Sequence, residues 1–129
     1  MLIQFSVENF LSIKDKVVLS LLASKDNEHP EHLIMDGNKS YLKSAVIYGA
    51  NASGKSNVLN AFWFMVNYVL TSHNQQLHKT IGRSPFKFDP ETPTRPSSFE
   101  VIFTTEGIRY AYGFSVTDKA VTEEYLYYY

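Results

Sequence analysis

The chain has 129 residues, 44% hydrophobic and 15% aromatic, with 19% charged and no cysteine. That length suits one domain with a real core and leaves no room for a catalytic head plus a separate substrate domain, while the composition excludes disordered, collagen-like and low-complexity classes. Twelve basic against thirteen acidic side chains give a formal charge of −1, which argues against a whole-surface grip on nucleic acid or an anionic membrane; the missing cysteines exclude disulfides, thiolate metal sites and cysteine nucleophiles.

Residues 1–9 lack the basic start and small-residue cleavage site of a signal peptide. Leu2 to Glu8 alternates, with Ile3, Phe5 and Val7 on one face, which predicts a half-buried strand. Val17 to Leu22 reads as a second strand, paired with the first through the short Phe10–Lys16 connection. Lys25 to Lys43 is polar and broken by Pro30 and Asp36-Gly37-Asn38; a loop is expected, anchored to the core by Leu33-Ile34-Met35. Ser44-Ala45-Val46-Ile47-Tyr48 is a short apolar run ending at Gly49, the pattern of a fully buried strand.

Residues 55 to about 72 predict the one long helix. Asn57, Asn60, Asn67 and Thr71 cluster on one side, Phe64 intrudes among them, and nearly every other position is apolar. Such a helix must be covered on most sides, so it is expected to be a core helix that also awaits a partner or a further part of its own domain. Its apolar stretch Val58–Leu70 falls short of the ~20 residues that span a bilayer, so a soluble, cytoplasmic chain with no membrane partner is expected. From Ser72 to Ser98 four prolines confine regular structure to brief pieces such as Phe86–Phe88.

The period then becomes two. Phe99, Val101 and Phe103 alternate; Ile108, Tyr110, Tyr112, Phe114 and Val116 alternate after a Glu106-Gly107 turn; Val121, Glu123, Tyr125, Tyr127 and Tyr129 share a face after Asp118-Lys119. Three strands joined by tight turns make an antiparallel meander. Ending on Leu126-Tyr127-Tyr128-Tyr129 is unusual, because termini normally lie in polar, frayed segments, and it suggests a chain cut from a longer protein. The whole reads as α/β: a single partial domain over 1–129, with strands and loop over 1–48, a glycine-rich loop and helix over 49–72, and an antiparallel subdomain over 98–129.

Gly49-Ala50-Asn51-Ala52-Ser53-Gly54-Lys55-Ser56 satisfies G-x-x-x-x-G-K-[ST] at every fixed position. Gly49 and Gly54 permit backbone angles and a close approach that a Cβ would obstruct. The N–H groups from about Ala52 to Asn57 converge on a β-phosphate, helped by the positive end of the helix that starts there. Lys55 supplies a mobile charge for the β- and γ-phosphates, and Ser56 a hydroxyl for Mg²⁺. The residues expected to hold nucleotide are thus Gly49, Ala50, Asn51, Ala52, Ser53, Gly54, Lys55, Ser56 and Asn57, with Lys55 also the catalytic group and Ser56 the metal ligand. A predicted buried strand before the motif and a strong helix after it are the context that phosphate cradling requires.

Asn51 as third loop residue, and a helix opening Ser56-Asn57-Val58-Leu59, resemble the ABC-type P-loop ATPases, more specifically the SMC, RecF and OLD group. Phe5-x-Val7-x-Asn9-Phe10-x-Ser12-Ile13 looks like that group's opening strand and turn. The stretches Phe99–Phe103, Arg109–Phe114 and Glu124–Tyr128 resemble the antiparallel subdomain of AAA-family ATP-binding proteins of the bacterial abortive-infection and anti-phage type. The resemblance spans nearly the whole chain. It implies the N-terminal lobe of an ABC-type head, with a mixed sheet, one long core helix and the meander. It also implies ATP and Mg²⁺ as cofactors and hydrolysis in a homodimer through the ATP site. The remainder of its own head, and DNA or a nuclease or effector subunit, would be its partners in DNA metabolism or phage defence.

The chain departs from that group in three respects. No run of four apolar residues followed by Asp-Glu (the Walker B pair) lies downstream of Lys55, and there is no signature motif; Leu33-Ile34-Met35-Asp36 precedes the loop and runs into Gly37. Ala52 stands where glycine is commoner, a methyl group the loop is expected to tolerate. Without Walker B carboxylates nothing orients the attacking water, so this chain alone is expected to bind nucleotide weakly and not to turn it over.

Weaker signals have blander readings. Asn9, Phe10 and Ser12 either line the adenine and ribose side or form an ordinary hairpin corner, the latter favoured. His29-Pro30-Glu31-His32 invites a metal reading, but Pro30 opposes helical pairing of ligands and no convincing third partner is evident, so loop residues are expected. His73 and His78 read as surface residues. Tyr112-Gly113-Phe114 matches only part of an RNA-binding strand motif and reads as core. Lys79, Arg83, Lys87 and Arg95 read as a solvated loop rather than a DNA-facing surface. Two other classes stay open: a compact P-loop kinase or GTPase, disfavoured by the long stretch before Gly49 and the missing Asn-Lys-x-Asp, and a non-enzymatic regulatory or assembly fragment.

Overall fold

The computed structural model describes residues 1–25, 28–74 and 80–129. His78 and Lys79 lie outside the described residues. Among the described residues, seven strands and one α-helix follow in chain order: β1 Leu2–Glu8, β2 Val17–Ser20, β3 Leu33–Asp36, β4 Lys39–Leu42, α1 Lys55–Thr71, β5 Ser97–Thr105, β6 Ile108–Val116 and β7 Val121–Tyr128. They make a five-stranded sheet ordered β2-β1-β5-β6-β7 and a separate β3–β4 hairpin.

Alternation sets the register. Val7 faces Phe99, which faces Phe114, and Phe5 faces Val101, which faces Tyr112, so the apolar sets of three strands share one side of the sheet. Helix α1 lies on that side, burying Ala61 and Met65 and packing Val58, Phe62, Phe64 and Tyr68 against Phe5, Phe10, Phe99 and Phe114. Each fully buried large apolar side chain contributes roughly 1.5–3 kcal/mol, and ring pairs such as Phe5–Phe62 (5.1 Å, edge to face) add specificity. The meander and the β1–β2 hairpin form as expected; Glu106 (φ 52°) and Gly107 (φ 76°) both take positive φ, as a two-residue I′ turn requires.

Several expectations fail, each for a physical reason. The sheet is not mixed: every ladder among the described residues is antiparallel. Ser44–Tyr48 is not a buried strand. It carries no ladder, and Val46 and Tyr48 are 86% and 90% exposed, because a strand needs a neighbour to bond and none of the described strands lies beside it. The loop at 33–42 is instead a hairpin turning at Gly37-Asn38, and its anchor is not Leu33-Ile34-Met35 but Tyr41, which is 1% exposed and accepts a hydrogen bond from Arg109 at 3.1 Å.

The described residues cover the helix on one side only. Phe64 belongs to the core side, stacked on Tyr68 and 5.1 Å from Phe99, whereas Leu59, Trp63, Val66 and Leu70 form an exposed apolar stripe at helical spacing. In β7 a bulge between Glu123 and Val121 turns Val121 to the side of Val116, away from Tyr125 and Tyr127. Of the β6 face expected in the core, Phe114 and Val116 are buried and Ile108 is exposed.

Arg83 is not solvated either. Its side chain is 1% exposed and donates to Asp118 Oδ1 (2.8 Å), the Arg95 carbonyl (2.8 Å), Ser97 Oγ (3.0 Å) and the Pro93 carbonyl (2.7 Å). It ties the proline-rich segment to the start of β5.

Candidate nucleotide site

The loop between Tyr48 and α1 takes the form its glycines permit. A Cβ on Gly49 would meet Ser53 Oγ at 3.0 Å, so that position needs the space. Gly54 takes φ 93° and a Cβ there would meet Ser12 Oγ at 3.1 Å. Ala52 also adopts the left-handed region (φ 63°), a conformation that costs an alanine roughly 1–2 kcal/mol. Here the methyl group sits at the strained point of the loop.

Gly54 is the N-cap of α1, with no side-chain cap and no acidic residue in the first turn. The first N–H groups of a helix have no carbonyl one turn back; that of Asn57 bonds the Gly54 carbonyl at 3.0 Å, while the positive end of the helix dipole faces the loop with no carboxylate in the first turn. Lys55 bends back across the loop: Nζ donates to the carbonyls of Gly49 (2.6 Å) and Ala50 (2.7 Å). Ser53 N–H closes a turn onto the Ala50 carbonyl at 3.2 Å.

A cleft of about 360 Å³ opens here, lined by Ser12 and by Asn51, Ala52, Ser53, Gly54, Lys55, Ser56 and Asn57. No carboxylate lines it. An ammonium, a helix N-terminus, hydroxyls and amides suit a polyphosphate, and exposed Ser56 can offer Mg²⁺ one oxygen while water and phosphate supply the rest. Gly49 and Ala50 contribute carbonyls that hold Lys55 rather than wall.

The structure divides the trio at the first hairpin corner. Ser12 belongs to the cleft, where Asn57 Nδ2 donates to its Oγ at 2.6 Å and Asn60 in turn donates to Asn57 at 3.4 Å. Phe10 is core. Asn9 is fully buried with φ 54°; its Nδ2 donates to the carbonyls of Thr92, Arg95 and Pro96, and its Oδ1 accepts from Phe86 N–H at 3.0 Å. It fastens the corner to the proline-rich segment and does not touch the cleft. Of the other candidates, Lys87 and Arg95 stay exposed, Arg95 with a long ion pair to Glu8 (3.8 Å), and His73 is at the surface. Leu33-Ile34-Met35-Asp36 is strand β3 of the separate hairpin. Arg83 and Tyr41 were missed as fastening residues because only tertiary contacts distinguish them from other loop residues.

A family model described as an AAA domain, putative AbiEii toxin, Type IV TA system, matches residues 44–129, two thirds of the chain and the whole of the glycine-rich loop. No curated protein matches. No helix among the described residues is long and apolar enough to cross a membrane.

Proposed function

Because the chain belongs to that family of AAA domains, we propose that it is the ATP-binding lobe of an ABC-type P-loop ATPase acting in phage defence or DNA metabolism. The observation that carries the reading is the cradle itself: a carboxylate-free cleft at an uncapped helix N-terminus, spanned by Lys55. Residues Asn51 to Asn57 hold the nucleotide, with Gly49 and Ala50 completing the loop and holding Lys55 in its absence; Lys55 neutralises the β- and γ-phosphates, and Ser56 is the protein's ligand to Mg²⁺. Bound magnesium would supply charge neutralisation at the phosphates. On phosphate arrival Lys55 exchanges two carbonyl acceptors for phosphate oxygens.

Hydrolysis needs carboxylates that this sequence lacks downstream of Lys55. The proposal therefore includes the remainder of an ATPase head and a facing protomer as partners, with DNA or an effector subunit beyond them. Calorimetry with MgATP tests the site. Losing the charge-assisted contact costs ~1.5–3 kcal/mol, so Lys55→Ala should weaken binding by about 10–150-fold. Equal affinity in Lys55→Ala refutes the reading, and preference for GTP over ATP would favour the compact GTPase class instead.

A second reading rests on a different observation. The exposed stripe Leu59, Trp63, Val66 and Leu70 supports a docking role for α1. A chain that is oligomeric by size exclusion and indifferent to ATP would be better described as an assembly fragment.

A further inference from the structure

The 3₁₀ turn Pro30–His32 brings together three side chains that the sequence leaves unconnected. Glu31 Oε1 stands 3.1 Å from His29 Nδ1 and 3.4 Å from His32 Nε2, and all three ligand atoms lie within 4.8 Å of one another. Bonds of ~2.0–2.2 Å to a tetrahedral ion place neighbouring donors roughly 3.3–3.5 Å apart. One edge, 3.4 Å, already has that length and the 3.1 Å edge is slightly short of it; the third closes by rotation of exposed imidazoles whose rings stand 5.7 Å apart.

Pro30, expected to oppose the pairing of ligands, shapes the turn that brings them together. At the first helical position its missing N–H costs nothing and its fixed φ holds the turn. His29 enters from the left-handed region (φ 60°), and His32 N–H bonds back to its carbonyl at 3.0 Å. The end of β4 fastens the other side: Lys43 Nζ donates to the Glu31 carbonyl at 2.8 Å and Lys43 N–H to the His32 carbonyl at 3.2 Å. The backbone is therefore held while the three side chains face solvent.

We propose that His29, Glu31 and His32 form an open-faced site for a borderline divalent ion of the zinc class, with two imidazoles, one carboxylate and a remaining position for water. The donor set argues for that class over Mg²⁺ and Ca²⁺, which take oxygen ligands, and it is separate from the phosphate cleft, whose metal ligand is a hydroxyl. The chain contains no cysteine, so no thiolate competes for the ion.

Zinc chloride titrated calorimetrically into the nucleotide-free chain tests the site. One equivalent should bind and perturb the amide resonances of His29, Glu31, His32 and Lys43. Altering a supporting outer ligand typically weakens metal sites by ~10–100-fold, so His29→Ala, His32→Ala and Glu31→Gln should each lose at least that much. These residues are exposed and the variants should keep the parent's circular dichroism; His73→Ala should bind as the parent does. No zinc uptake, or uptake unchanged in all three variants, overturns the proposal, and so does loss confined to His73→Ala.

Discussion

Replacing Arg83 by methionine keeps the buried stem and removes the guanidinium. Four acceptors lose a donor, but not equally. The Arg95 carbonyl retains Asn9 Nδ2 at 3.0 Å, and Ser97 Oγ still donates to the Asn9 carbonyl. Pro93 is an exposed residue, and the Asp118 side chain is 56% exposed and rehydrates. No buried charge is stranded, which places the cost below the ~3–5 kcal/mol of breaking a buried pair. Three lost bonds to neutral acceptors at ~0.5–1.5 kcal/mol each give a destabilisation of about 2–4 kcal/mol. Urea unfolding followed by far-ultraviolet circular dichroism reads this as a lower midpoint at unchanged slope. Asp118→Asn should cost no more than ~1 kcal/mol, since its partner keeps three other acceptors and the carboxylate is mostly in water. A change in Arg83→Met within the ~0.5 kcal/mol of an ordinary surface substitution, or an equal loss in Asp118→Asn, would refute the account of Arg83 as the fastener.

Gly113→Ala would drive a methyl group into the end of the Tyr125 ring, which crosses the glycine to donate to Glu100 Oε2 at 2.7 Å. Overpacking at ~1–3 kcal/mol and the displaced hydrogen bond predict a loss of about 2–4 kcal/mol, and adding Tyr125→Ala should cancel most of the coupling in a double-mutant cycle; strict additivity would count against the contact. Burial, then the Glu124 carboxylate that accepts its hydrogen bond at 2.8 Å, push the Tyr112 phenol up to about 12. The unfolded phenol ionises near its ordinary 10.0, so this contribution is whole below pH 10 and is lost as pH rises towards 12. Tyr112→Phe should therefore lose less stability than the parent across that window, and parallel urea midpoints from pH 9 to 12 would contradict the assignment.

Local chemistry was enough to read the glycine loop, the start of α1 and the hairpins of the meander. Gly49 and Gly54 shape the loop through space and backbone freedom within eight consecutive residues, and the period-two runs of β1, β5 and β6 specify their own inner faces. Residues far apart in the chain are another matter. Asn9 and Arg83 look like a turn residue and a surface base until carbonyls from residues 92–96 surround them. Glu31 becomes a third ligand only when the turn bends it between two histidines. Ser44–Tyr48 shows the limit from the other side: its apolar run satisfies every local rule for a buried strand, yet burial depends on which neighbours come to bond its backbone. Short-range patterns carry conformational preference, whereas burial, pairing and hydrogen-bond satisfaction arise from contacts between distant segments.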